Sequence, residues 1–211
     1  MSVQITNWRS GGPSAASELS PVTLLLHGYS SDENDLPGLV PYLPQGLTWY
    51  SLRAPVDLDN GGFAWANRVT PGNPPTADVE LGTDAVWEWV EANLPETAPL
   101  IVIGFSQGGL MATQLLRSRP NRILATVILA GFTLDANQDA DSQLLEERPK
   151  VLYCRGLQDD VISPEAVNRT LVWLKGHTVA RVLSYEELGH SINEDVLADV
   201  SDYLNERLSV E

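Results

Sequence analysis

The stretch "VIGFSQGGLMA", residues 102–112, sets one serine between an apolar run and a glycine-rich segment that continues with helical spacing. Gly104-Phe105-Ser106-Gln107-Gly108 satisfies G-x-S-x-G, and its flanks predict a strand before it and a helix after it. In that context the pattern describes a tight strand-to-helix turn, with glycines where side chains would collide and the serine hydroxyl lifted out of the sheet. The next backbone N–H, that of Gln107, then lies at the positive end of a helix, where an oxyanion can bind. A serine that only packs a helix on a strand shows the same five letters, so partners for it have to be found elsewhere.

Working outward, Val-, Ile- and Leu-rich runs recur at residues 21–28, 47–55, 99–105, 123–131, 150–156 and 180–188. They are short and mostly non-alternating, as strands covered on both faces are. "VQITNW" at 3–8 is a weaker candidate, expected at a sheet edge. Helical patterns lie between them. From Asp78 to Leu94, Val79, Val86, Trp87, Val90 and Leu94 share one face, and Pro95 closes the segment. Further helices are expected over Gln107–Ser118, over Pro164–Lys175 with Gly176 as the stop, and over roughly Ile192–Leu208. Strands alternating with helices predict an α/β fold whose mainly parallel sheet of about seven strands carries helices on both faces. Residues 1–211 read as a single domain, since no composition break marks a linker. The widest irregular stretch, 56–77, is rich in Gly, Asn and Pro and is expected to be a functional loop.

A serine hydroxyl needs a base, and the base needs an orienting group. Ligands of parallel sheets bind at the carboxyl ends of the strands. Of the three histidines, His190 follows the last strand and falls on that edge with Ser106, whereas His177 precedes a strand and falls on the opposite one. His27, at the end of an early strand in "LLLHGYS", suits a loop-shaping role. Asp159 and Asp160 lie in the loop after the strand at 150–156, where aspartates also serve as turn or helix-cap residues. The order Ser106, Asp159, His190 is that of α/β-hydrolases. A second oxyanion donor belongs in the loop after an early strand, where the backbone N–H of Tyr29 follows His27-Gly28. Such a donor is worth ~3 kcal/mol in the transition state.

With "LLLHGYSSDENDL", "RAPVDLDNGGFAW", "IVIGFSQGGLMA", "GLQDDVIS" and "ELGHSI" in that order, the chain resembles the phospholipase/carboxylesterase family of the α/β-hydrolase superfamily, which includes bacterial carboxylesterases and acyl-protein thioesterases. The resemblance implies Ser106 as nucleophile, His190 as base and then acid, and Asp159 as its carboxylate in a G-x-x-D-x-V pattern, with Asp160 the alternative one register away. It implies backbone amides of Tyr29 and Gln107 as the oxyanion hole, and it suggests Phe63 and Trp65 as acyl-pocket residues, for which anchoring of a long loop is an equal reading. The chain departs from the family's "LHGLG" type in having Tyr29 and Ser30, which alters the pocket wall. Dienelactone hydrolases share the fold but use a cysteine at the elbow; here Cys154 falls inside a strand.

The function expected is hydrolysis of carboxylic esters of small to medium acyl chain, because "FTLDANQDADSQLLEERP" leaves no room for a large cap domain. Acyl-protein thioesterase or lysophospholipase, an amidase, and a non-catalytic binding module on the same fold are the alternatives. No cofactor and no metal are expected, since no spaced His/Cys/Glu cluster occurs. The partner is a small-molecule ester substrate. A formal net charge of −15 disfavours nucleic acid and anionic membranes. One cysteine, no secretory-type start and no long apolar run point to a cytoplasmic protein without stable membrane association. Trp87, Trp89 and Trp173 are expected to pack helices, and Arg53 to brace a loop.

Overall fold

Consecutive residues of the central strands are all buried because neighbouring side chains enter different cores on opposite faces of one sheet. In the computed structural model, which describes residues 3–13, 20–67 and 72–209, the elements run as follows. β1 (Trp8–Gly11) and β2 (Val22–Leu26) precede a 3₁₀ segment (Leu36–Tyr42) and β3 (Thr48–Leu52). A short hairpin of β4 (Val56–Asp57) and β5 (Phe63–Ala64) leads to α1 (Thr76–Asn93), β6 (Leu100–Phe105) and α2 (Gln107–Ser118). Then come β7 (Ile123–Leu129), α3 (Asp141–Glu147), β8 (Lys150–Gly156), α4 (Pro164–His177), β9 (Val179–Tyr185) and α5 (Glu194–Leu208). Among the described residues the main sheet has seven strands in the order β1-β3-β2-β6-β7-β8-β9. All neighbours are parallel except β1 and β3.

Leu24, Leu26, Leu100 and Val102 pack with Val79, Val86 and Val90 of α1 and Leu110 and Met111 of α2. The alternate residues Leu25, Ile101, Ile103, Val127 and Leu152 pack with Val196, Val200, Tyr203 and Leu204 of α5. A third cluster joins Ile128, Val151 and Tyr153 to Leu116, Leu144, Trp173 and Leu174. Trp87, Trp89 and Trp173 are all buried. Among the described residues no helix is long and apolar enough to cross a membrane.

Four details differ from the sequence reading. The first strand lies at the sheet edge as expected, but it is antiparallel and occupies Trp8–Gly11 rather than 3–8, since its register is set by pairing with β3. β9 is not covered on both faces: Val179 and Val182 are exposed, because it ends the sheet. It also stops at Tyr185, which releases residues 186–190 into a loop. Gly176 does not end α4, which continues to His177; Thr178 closes it by donating its N–H and its hydroxyl to the Leu174 carbonyl, at 3.0 and 2.7 Å. Residues 56–77 are not wholly irregular, since they hold the β4–β5 hairpin and the first residues of α1.

α2 can approach β2 closely only because Gly108 lacks a side chain. A Cβ there would stand 1.9 Å from the Leu26 carbonyl oxygen and 2.7 Å from that of His27. Both obstacles are backbone, so neither can rotate away. Gly108→Ala is expected to lower stability by about 3 kcal/mol, whereas Gly38→Ala, with nothing within 4 Å, stays near wild type. Urea midpoints compare the two; equal midpoints would contradict the packing argument.

Candidate active site

Ser106 follows β6 directly, with φ +54° and ψ −116°. A non-glycine residue in that region carries roughly 1–3 kcal/mol of strain and persists only where its surroundings over-determine it. Here the Ser106 N–H donates to Leu129 O at 2.8 Å, and the Ser106 carbonyl accepts from the Gly109 and Leu110 amides at 2.9 and 3.2 Å. The turn therefore holds its side chain at the carboxyl end of the sheet.

Two loops meet there. The loop after β8 and the loop after β9 are joined by Leu157 N–H to Tyr185 O and Gln158 N–H to Leu188 O, both 2.9 Å. A Cβ on Gly156 would lie 2.0 Å from Leu188 O, so glycine permits this contact. The junction brings His190 beside Asp159. With the neutral ring protonated on Nδ1, His190 donates to Asp159 Oδ2 at 2.7 Å and accepts at Nε2 from Ser106 Oγ at 2.9 Å. Asp159 Oδ1 accepts the Val161 and Ile162 amides at 2.9 and 3.1 Å, which orients the carboxylate. Its side chain is 4% exposed and that of His190 15%. Asp160 is exposed and takes no part in the series. Phe105 supports the imidazole, with ring centroids 4.9 Å apart.

A cleft of about 180 Å³ opens over Ser106. Tyr29, Pro74, Phe105, Phe132, Val161 and Ile162 form much of its wall, with Gly28, Gly72, Gln107 and His190. Among the described residues no Lys, Arg, Asp or Glu lines it. Tyr29 and Gln107 thus stand on the cleft wall beside Ser106. Phe132, Ile162 and Pro74 were not anticipated, because an apolar residue in a loop has no periodic signal to announce the wall it will form.

Phe63 and Trp65 are not in that wall, a correction to the pocket reading. Trp65 is fully buried and hydrogen-bonded through Nε1 to His27 O at 2.9 Å. Phe63 lies under the Arg53 guanidinium, 4.4 Å from the ring centroid, and its backbone pairs with the 30–31 loop. Arg53 is the expected brace: its Nε and Nη2 each donate to Glu33 at 2.6 Å. The other histidines also fall where their positions implied. His27 accepts the Ala54 N–H on Nε2 at 3.0 Å, so its proton sits on Nδ1 and is donated to Gly28 O at 2.7 Å. Burial lowers its pKa, and the ring stays neutral. His177 stacks on Trp173 at the far end of α4.

Cys154 is buried among the side chains packed on α5, and burial pushes its thiol up to about 11, against the smaller opposing effect of the Tyr185 hydroxyl. At pH 8 the thiolate is then roughly a thousandth of the population. Iodoacetamide is expected to leave the native protein unmodified and to alkylate one thiol in urea; rapid native labelling would contradict this burial.

A parallel sheet with a strained serine elbow after β6 and acid and histidine loops after β8 and β9 defines an α/β-hydrolase. More narrowly, the chain belongs to the phospholipase/carboxylesterase family, whose sequence profile matches residues 14–208. It is 33% identical over 110 residues to a pimeloyl-[acyl-carrier protein] methyl ester esterase of Aromatoleum aromaticum, covering 52% of this chain and 36% of that one. It is 28% identical over 188 residues to the protein of the same name from Aeromonas hydrophila, covering 89% and 62%. The match thus spans less than two thirds of either relative. A carboxylesterase from Mesorhizobium loti has the same fold, with a TM-score of 0.77 at 20% identity over 97% of this chain and 99% of that one.

Proposed function

We propose that this single-domain chain is a cytoplasmic serine carboxylesterase acting on neutral esters of small to medium acyl chain. The observation that carries the reading is the hydrogen-bonded series Ser106–His190–Asp159 opening into an apolar cleft. Ser106 Oγ attacks the ester carbonyl as His190 Nε2 takes its proton, and Asp159 stabilises the imidazolium. The carbonyl oxygen gathers negative charge facing the Tyr29 and Gln107 amides. His190 then protonates the departing alcohol, and water repeats the sequence on the acyl-enzyme. Each step uses only these groups and water.

Cleft size supports the acyl preference: about 180 Å³ is below the roughly 300–1,000 Å³ that accommodates larger ligands. Among the described residues its wall carries no Lys or Arg to pair with a free carboxylate on the acyl chain, which favours uncharged acyl groups. The test is kcat/KM for 4-nitrophenyl esters from acetate to palmitate, with Ser106→Ala alongside. A Ser106-dependent maximum at short or medium chains supports the proposal. Steady improvement up to palmitate overturns the chain-length assignment, and absence of Ser106-dependent turnover at any length overturns the esterase assignment.

A further inference from the structure

The segment Phe63–Ala66 lies outside the cleft but touches both loops proposed to supply the oxyanion amides. On one side it holds the loop that carries Tyr29: Ser30 N–H donates to Phe63 O at 2.9 Å, Phe63 N–H to Ser31 O at 2.8 Å, and Trp65 Nε1–H to His27 O at 2.9 Å. On the other side it holds the elbow: Trp65 N–H donates to Gln107 Oε1 at 2.8 Å, and Gln107 Nε2 donates to Ala66 O at 2.7 Å. The segment is itself immobilised. Trp65 is fully buried, and its carbonyl packs against Gly82 of α1 so closely that a Cβ there would come within 2.5 Å of it. His27 continues the chain of contacts, with its ring 5.4 Å from Trp65 and its Nδ1–H on Gly28 O.

We infer that Trp65 and the Gln107 carboxamide are positioning residues, forming a buried bridge that sets the separation of the Tyr29 and Gln107 amides. The inference rests on the esterase reading above. Gly108 already packs the start of α2 on the Leu26 and His27 carbonyls, and the bridge adds hydrogen bonds that fix the loop after β2 relative to the Gln107 side chain. Oxyanion donors act only when held where charge will develop, so a small displacement acts on the transition state more than on the bound ester. Cleft contacts dominate ground-state binding. Loss of the bridge should therefore lower kcat and spare KM.

The variants are Trp65→Phe, which removes the indole donor, and Gln107→Met, which removes both carboxamide bonds at similar length. Leu144→Ala in α3 is the comparison, since it creates a cavity in a core away from the cleft. For 4-nitrophenyl butyrate, Trp65→Phe and Gln107→Met are expected to lose about 10–100-fold in kcat with KM within about twofold, less than the ~10²–10³ of deleting a donor outright. Leu144→Ala, measured below its unfolding transition, keeps its kcat. Gln107→Glu adds a signature that a purely structural role lacks. A protonated carboxyl can accept from Trp65 N–H and donate to Ala66 O, whereas a carboxylate sets like partial charges against Ala66 O. Its kcat relative to wild type should rise as pH falls from about 9 to about 6, because burial raises a carboxyl pKa. Folded Trp65→Phe and Gln107→Met with unchanged kcat, or a loss confined to KM, overturn the bridge while leaving the esterase assignment standing. A wild type that neither hydrolyses esters nor takes a fluorophosphonate on Ser106 overturns both.

Discussion

Ser106→Ala and His190→Ala are each expected to lower kcat for a 4-nitrophenyl ester by roughly a millionfold, and the double variant should be no worse than either alone. Removing the serine deletes the attacking atom, and removing the histidine leaves a hydroxyl whose proton has no acceptor at 2.9 Å. Either change stops the same step, so the losses do not add. Asp159→Asn should cost less, roughly ten-thousandfold, because the imidazole remains but its tautomer is no longer held. Asp160→Asn should match wild type. Steady-state kinetics on the full set, with circular dichroism to confirm folding, provides the check. Additive losses for Ser106 and His190 would mean that they do not act as a unit.

Arg117→Met is expected to produce the largest loss of stability among the single substitutions considered, about 3–5 kcal/mol. Arg117 is 2% exposed near the end of α2. Its Nε and Nη2 donate to Asp141 at 2.9 and 2.7 Å, and its remaining donors reach Leu134 O and Ala136 O at 3.2 and 2.6 Å, so one side chain ties α2 to α3 and to the chain after β7. Methionine fills part of the space but leaves two carbonyls and a half-buried carboxylate without their partner. Burial pushes the Asp141 carboxyl up, but the Arg117 hydrogen bond, the Gln138 N–H and the Arg117 charge together outweigh it and hold it below the usual carboxylate range. A depressed folded-state value contributes stability above the unfolded pKa and loses it as pH falls through the folded one. In Arg117→Met the upward push of burial remains, opposed now only by the Gln138 and Trp173 hydrogen bonds, so the gap between variant and wild type should narrow below about pH 4. Urea unfolding at pH 7 and pH 3.5 measures this. A gap that stays unchanged in acid would assign the stability of Arg117 to its packing over the Trp173 ring, 5.1 Å from the centroid, instead of to its ion pair.

Elements whose evidence lies within one local window were legible in the sequence. α2 begins and ends where the spacing of "QGGLMATQLLRS" places it, and the elbow could be read because a tight turn demands small residues at fixed positions. Topology then placed Ser106 and His190 on one sheet edge and His177 on the other, since every parallel strand presents the same end to the same side. The choice between Asp159 and Asp160 was closer, because adjacent residues differ in direction and not in location; the Val161 and Ile162 amides turn Asp159 inward. Phe63 and Trp65 show where local reading stops. Aromatic residues in a loop near a site announce burial without announcing what they bury against. The partners of Trp65, Gln107 and His27, lie 42 and 38 residues away along the chain.

The sequence by itself determined the α/β pattern, the serine elbow and the histidine that shares its edge, because period, turn chemistry and strand direction are local properties. Only the tertiary structure decided which carboxylate turns inward, which residues wall the cleft and which tie the loop after β2 to the elbow after β6. Those are contacts between segments far apart in the chain, set by how strands register and how closely glycines let backbones approach.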